Sequence, residues 1–472
     1  MGARGRSVLV EVPQAKPATL DLKLEKTKDL SLQLTSLDWI SIMPGTPEQK
    51  AKLVYKGASC NYCHQYRRIL RSKHDAAEFA RVIKRMKTYY PDGTASSDDG
   101  RGKADLWKRY GDSYGKPTPE PSRQPDLEGP NWSGVPITEY AEYLATANLS
   151  GGRTTWPFEL RATMPRPKGA GTRIIITQWD QPRKLTVSHD MDVDSKGSLW
   201  YGDESNQFIG MLEPRTNTFT EYPLPELPAD HLHGTRDVQV DQEDNIWFPM
   251  RVQGGAALVT KFEPKTKKLT IVDGATAQFL ALGPNGKLWT GGAGNTPGVI
   301  DIKTMKMEAR YQGNGYQLVV SSKGIPYMGS GGAINIYDVP AGKLRSVPLP
   351  SQNPMARRGR MDAQDRYWFG EYNGDKIGMF DTKTETVKEW PLRQYSTPYT
   401  ASVPDKNGYV YAPSNMSDRL SRLDPKTGNV VEYLMPTEFD TKKIVMDPST
   451  NRVVLWMANT RNARVLRVEP LD

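Results

Sequence analysis

Cysteine is the scarcest feature of this chain: two among 472 residues, which rules out a disulfide framework at a length where a buried core suffices. Long apolar runs are missing too. No stretch approaches the roughly 18 residues of a membrane span, and the start "MGARGRSVLVEV" lacks the apolar segment of an export signal. Nor is charge of one sign concentrated. The net charge is +9, yet 63 Lys and Arg are interspersed with 54 Asp and Glu, and only "RRILRSK" and "ARRGR" form short basic clusters. This argues against nucleic acid as a partner and for a basic surface that suits acidic proteins or small anions.

Both cysteines fall in one stretch, "KGASCNYCHQYRR", as Cys60, Cys63 and the adjoining His64. A redox C-x-x-C belongs on a strand-to-helix junction of a βαβ unit, and none surrounds it. A zinc site needs four ligands, yet there is no second cysteine pair, and the other histidines lie far along the chain at 74, 189, 231 and 233. C-x-x-C-H attaches haem through two thioethers, with the histidine as axial iron ligand. The plain alternative is two free thiols beside a surface histidine.

The flanks are helical. "TPEQKAKLVYKGA" opens with a cap at Thr46 and Pro47, and "DAAEFARVIKRMKTYY" pairs Asp75 with Glu78 as a capping box and sets Phe79, Val82, Ile83 and Met86 on one face. "ITEYAEYLATANL" makes a third amphipathic helix. These residues resemble a class I cytochrome c domain over 45–150. The resemblance implies one covalent haem c held by Cys60 and Cys63, with His64 on the iron. Met86 is one candidate for the distal ligand, though its place in the stripe of Phe79, Val82 and Ile83 suits the core equally; His74 and an open or propeller-supplied position are the alternatives. Such haem attachment occurs outside the cytoplasm, so a periplasmic location follows, with an export signal not present in this sequence. "RRILRSK" then suits an acidic redox partner. Residues 1–30 read as two extended pieces, "SVLVEV" and "ATLDLKLEK", that resemble the end of a carboxypeptidase-regulatory-like sandwich.

After residue 170 a repeat takes over: "DSKGSLWYGD", "DQEDNIWFPM", "GPNGKLWTGG", "SSKGIPYMGS", "DAQDRYWFGE", "DKNGYVYAPS" and "STNRVVLWMA". The marker aromatics are Trp200, Trp247, Trp289, Tyr327, Trp368, Tyr411 and Trp456, spaced by 47, 42, 38, 41, 43 and 45 residues. Units of this period, each two hairpins, are propeller blades. The last unit supplies three strands, and "RIIITQWD" at 173–180 is the expected fourth, closing the ring. The fold class is therefore multidomain: a small all-α haem domain, then an all-β seven-bladed propeller over 170–472. The repeats resemble the virginiamycin B lyase family. That family depends on magnesium and on histidine and glutamate from later blades, and this chain has no histidine after 233.

Alignment of the blades on their aromatics gathers His189, Arg236, Gln278, Tyr316, Arg357 and Thr400 at the channel mouth. Asp190, Asp237 and Arg358 come one step later, and Asp203, Glu204, Arg251 and Glu371 come from the ends of second strands. His231 and His233 lie on the loop into the second blade. The candidate catalytic set is His189, Asp190, Arg236, Asp237 and Arg357, facing a small anionic substrate or a metal. The leading expectation is haem-linked electron transfer, an oxidoreductase role, between something bound at the propeller and a respiratory acceptor. A C–O lyase and a non-catalytic haem-bearing sensor are the alternatives.

Overall fold

The computed structural model describes residues 27–56, 65–87, 136–183, 186–204, 206–225, 234–251, 257–292, 297–311 and 316–471, the last four positions of the 65–87 segment by backbone only. Cys60, Cys63, His64, His231 and His233, the side chain of Met86 and the extended pieces before residue 27 lie outside the described residues.

Seven antiparallel sheets follow one another along the chain as a seven-bladed β-propeller, each a simple meander from an inner strand to an outer one. The strand Ile174–Asp180 pairs with Arg464–Pro470 along its whole length and completes the last sheet, so the two ends of the repeat meet in one blade. The expected closure is found, and it removes the open edge between first and last units. The sixth sheet has three regular strands. Its inner position is taken by residues 400–403 between Pro398 and Pro404, where the Ser402 amide donates to Tyr411 O (2.8 Å) and Ser402 Oγ accepts from the Tyr411 amide (2.9 Å). Prolines on both sides deny that segment a regular ladder.

Each marker aromatic sits on a second strand, is at most 5 % exposed, and joins the apolar cluster of the following blade. Trp200 packs with Val238, Ile246 and Phe248, and Trp247 with Leu280 and Leu288. Trp456 reaches forward to Met191 and Tyr201, so the contact that links neighbours also closes the circle. Removal of such a side chain costs about 3–5 kcal/mol in a packed core.

The aspartates of the repeat do more than turn the chain. Asp194 takes the amides of Lys196 and Ser198 on one oxygen and the Trp200 indole on the other (3.0 Å). Asp241 holds Trp247 (2.7 Å), Asp362 holds Trp368 (2.8 Å), Asp447 holds Trp456 (3.0 Å) and Asp405 holds the Tyr411 hydroxyl (2.9 Å). A carboxylate that satisfies both the tight turn and the buried ring nitrogen fixes the ring's rotamer and leaves no orphan donor.

Before the propeller, the described residues form five short α-helices: α1 (Ser36–Ile42), α2 (Pro47–Ala51), α3 (Tyr66–Leu70), α4 (Ala76–Lys87) and α5 (Ile137–Ala147). Thr46 caps α2, and Asp75 with Glu78 forms the capping box of α4, the Glu78 amide donating to Asp75 Oδ1 at 2.8 Å. Phe79 is buried, and Ile83 packs against the same cluster. No helix among the described residues is long and apolar enough to cross a membrane.

These helices share their apolar cluster with Tyr395 and Met416 of the propeller. Polar bonds add to the seam. The Leu37 amide donates to Met416 O (2.6 Å), Gln65 Nε2 to Asp418 Oδ1 (2.6 Å) and the Tyr55 hydroxyl to Asp375 Oδ2 (2.5 Å), while Arg67 pairs with Glu438. Residues 156–165 act as a strap: Thr163 and Met164 amides donate to buried Asp38, and Trp156 lies 5.5 Å from Trp39. Arg71 is bound to Asp29 at 2.8 Å, so two cations of "RRILRSK" are engaged within the chain. Asp375, Tyr395, Met416, Asp418 and Glu438 all lie on turns between second and third strands or on loops between blades. In a meander these share one face with the starts of the inner strands, so the helices sit on the face that carries the channel mouth.

Candidate functional site at the channel mouth

The starts of the inner strands bring charged and aromatic residues together, several of them in consecutive pairs such as His189–Asp190, Arg236–Asp237 and Arg357–Arg358, and the structure gathers them in two layers. The outer layer is half-buried and consists of Arg236, Tyr316 and Arg357. Arg357 lies over three tyrosine rings, Tyr316 (5.2 Å), Tyr372 (5.4 Å) and Tyr399 (5.0 Å), and donates to the Tyr399 hydroxyl (3.3 Å). The Tyr316 and Tyr399 hydroxyls are hydrogen-bonded to each other, and Lys442 Nζ stands 4.4 Å from the centre of the Tyr399 ring. Arg236 pairs with Glu204.

Beneath them is a buried layer of His189, Asp190, Asp237, Arg358 and Lys443. Arg358 grips Asp190 with both terminal nitrogens at 2.5 Å, and His189 Nδ1 lies 2.8 Å from Asp190 Oδ1. Asp237 accepts from the Leu280 amide (2.7 Å), and Lys443 donates to Val238 O (2.6 Å) while standing 3.7 Å from Asp237. Phe279 connects the layers, 6.2 Å from the His189 ring and 4.9 Å from Tyr316.

The electrostatics separate these groups. Burial alone raises Asp190, but the Arg358 guanidinium and His189 outweigh it and hold the carboxyl well below its usual range. Burial pushes Asp237 up to about 7, helped by Asp190 and opposed by Lys443, so one carboxyl of this pair keeps its proton near neutrality. Burial lowers His189 against the pull of Glu204 and Asp190, leaving a neutral imidazole. With Asp190 ionised, the Nδ1 proton points to it and Nε2 is the lone-pair nitrogen. Nε2 is buried with no hydrogen bond among the described residues. An orphan of this kind costs about 1–3 kcal/mol unless a ligand or water meets it. Tyr316 is the mirror case: burial raises a phenol, yet Arg357, Arg236 and Arg358 prevail and lower it.

All five residues of the candidate set are brought together, with Arg358 and Tyr316. Others are placed elsewhere. Asp203 braces its own turn, accepting from the Val187 amide (3.1 Å) and Asn206 Nδ2 (2.8 Å). Glu371 turns outward: ideal Cβ atoms on Gly374 and Gly378 would stand 2.7 and 2.9 Å from its oxygens, so these two glycines leave the space its carboxyl fills. There it meets Glu389, the carboxylate that binds Lys376 at 2.7 Å.

Lys442, Lys443 and Tyr399 belong to the site and escape the alignment of blades. In all six other blades the first residue of the turn precedes the aromatic by six positions, but Asp447 precedes Trp456 by nine. The longer turn shifts Lys442, counted back from Trp456, three residues out of frame. Among the described residues no cluster of His, Cys, Asp and Glu is arranged to hold a metal ion.

No protein-family model matches the chain, and neither does any curated protein sequence. Solved structures do. A streptogramin B lyase matches at 17 % identity and a TM-score of 0.54, over 64 % of this chain and 99 % of its own. A catalytically inactive histidine-to-alanine variant of virginiamycin B lyase from Staphylococcus aureus, with quinupristin, matches at 16 % and 0.53, over 63 % and 99 %. A chain of the mitotic checkpoint complex matches at 12 % and 0.51, over 68 % and 98 %. At these identities the likeness establishes the propeller fold alone.

Proposed function

We propose that the propeller is a lyase for a small carboxylate-bearing substrate bound at the channel mouth. The observation that carries this reading is the Asp190–His189 pair, whose outer nitrogen is left without a partner beneath a wall of Arg236, Tyr316 and Arg357. Arg357 and Arg236 hold the carboxylate and the charge that develops beside it. His189 Nε2 takes the proton from the neighbouring carbon, Asp190 stabilises the imidazolium, and the electron pair forms the double bond as the C–O bond breaks. The leaving oxygen receives the proton of Tyr316, a phenol made more acidic by three guanidiniums. Support comes from this cationic, tyrosine-lined geometry and from a fold in common with lyases.

The test uses malate, a β-hydroxy carboxylate, in deuterated water. The expected result is deuterium at the carbon next to the carboxylate with the wild-type protein and none with His189→Gln, while both bind benzoate equally by calorimetry. Absence of both binding and exchange in the wild type overturns the reading.

A second reading concerns the segment before the propeller. Cys60, Cys63 and His64 carry the haem c pattern, and the residues that bracket them, Tyr55 and Gln65, are bonded to Asp375 and Asp418 on the face of the channel mouth. A haem held by that pattern would supply one-electron chemistry and make the chain an exported electron-transfer protein. Co-expression with cytochrome maturation enzymes tests it: a haem that survives acid-acetone extraction is expected, and a colourless product rejects it.

A further inference from the structure

The loop that delivers Tyr399 to the channel mouth is strained. Tyr395 and Thr397 have φ of 65° and 49°, a left-handed conformation unfavourable for any side chain and most of all for a β-branched one. Such residues cost on the order of 1–3 kcal/mol each and persist only where their surroundings over-determine them. Here the determinant is one carboxylate. Asp375, itself at φ 52° on the turn between the second and third strands of the fifth blade, accepts from the Tyr395 amide (2.7 Å, Oδ2) and the Thr397 amide (2.8 Å, Oδ1). Two residues beyond Thr397, Tyr399 meets Arg357 and Tyr316, and its carbonyl accepts from the Arg358 amide (3.1 Å).

The other ligand of that carboxylate comes from the helices. Tyr55 donates its hydroxyl to Asp375 Oδ2 (2.5 Å), and its ring lies 5.8 Å from that of Tyr395, which belongs to the helical segment's own apolar cluster. Asp375 is thus the point where the helical segment, the strained loop and the channel mouth meet.

We infer that Asp375 is a positioning residue: through it, Tyr55 of the helical segment sets the loop 395–399 and hence the placement of Tyr399 against Arg357 and Tyr316. The inference rests on the reading of the mouth as an anion site. It makes the helical segment a part of the propeller's binding site without touching the ligand. It also predicts that removal of one phenolic oxygen outside the mouth changes what happens inside it.

The test compares full-length wild type with Tyr55→Phe, which keeps the ring and loses the hydroxyl, and with Asp375→Asn and Asp375→Glu. Benzoate affinity is read by calorimetry and amide hydrogen exchange by mass spectrometry. Tyr55→Phe and Asp375→Asn are expected to weaken benzoate by about tenfold, the scale of one lost hydrogen bond to a charged group, and Asp375→Glu to recover part of that loss. Both weakened variants should exchange faster at 395–401 with the remaining blades unchanged. A wild type that does not bind benzoate sinks the anion reading, and the exchange pattern then judges the positioning role by itself. Exchange at 395–401 equal to wild type in Tyr55→Phe and Asp375→Asn overturns it, as does acceleration spread evenly over all blades.

Discussion

Glu371 shows how a single carboxyl is tuned in this protein. Burial, with Glu389 beside it and Lys376 opposing, pushes it up to about 8, and both its oxygens are buried. An acid whose folded value lies above its unfolded value of 4.5 contributes stability that is fully present below pH 4.5 and lost as pH rises through about 8. Glu371→Gln removes the titration. Its unfolding midpoint relative to wild type is therefore expected to rise across that window and to be flat below it, as chemical denaturation at a series of pH values would show. A difference independent of pH would mean that Glu371 ionises in the folded state as it does in the unfolded one. The same mechanism, burial against few opposing cations, keeps a proton on Asp237 in the buried layer, whereas Arg358 strips Asp190 of its own.

At the level of elements, the repeat was legible because its physics is local. An aspartate, a tight turn and an aromatic recur at nearly constant spacing, and each aromatic needs a neighbour's face, so seven units imply a ring whose first and last members touch. The strand Ile174–Asp180 could be assigned to the last blade for the same reason: a three-stranded unit ending the chain leaves an edge that only the other end can cover. Three features could not be read in this way. The second role of the aspartate, as acceptor for the indole, depends on a geometry that spacing does not contain. Lys442 and Lys443 were displaced by a turn longer than its counterparts. Glu371 departs from the mouth because two glycines, unremarkable in sequence, leave room for it to turn outward. The helix caps at Thr46 and Asp75 were readable, being contacts within four residues. The docking of those helices on the fifth, sixth and seventh blades rests on pairs hundreds of residues apart, such as Tyr55 with Asp375.

On the scale of the whole molecule, one face of the ring gathers the charged and aromatic groups of the proposed site. The opposite face carries the tight turns between first and second strands, where Asp194, Asp241 and Asp362 accept from backbone amides and from the indoles. The face with the inner-strand starts bears the two-layered mouth, the strained loop and the helices. Its outer layer presents guanidinium and phenol, and its inner layer holds a neutral imidazole between paired charges. On the proposed reading this arrangement takes a small carboxylate, with the anion on Arg357 and its body against the Tyr316 ring. On that reading the ligand enters from this face. The most direct measurement is the crystal structure of the protein soaked with para-bromobenzoate, located by the anomalous signal of bromine. The account predicts one bromine at the channel mouth with the carboxylate on Arg357, lost in Arg357→Ala crystals; bromine bound elsewhere on the propeller, or an undiminished peak in that variant, contradicts it.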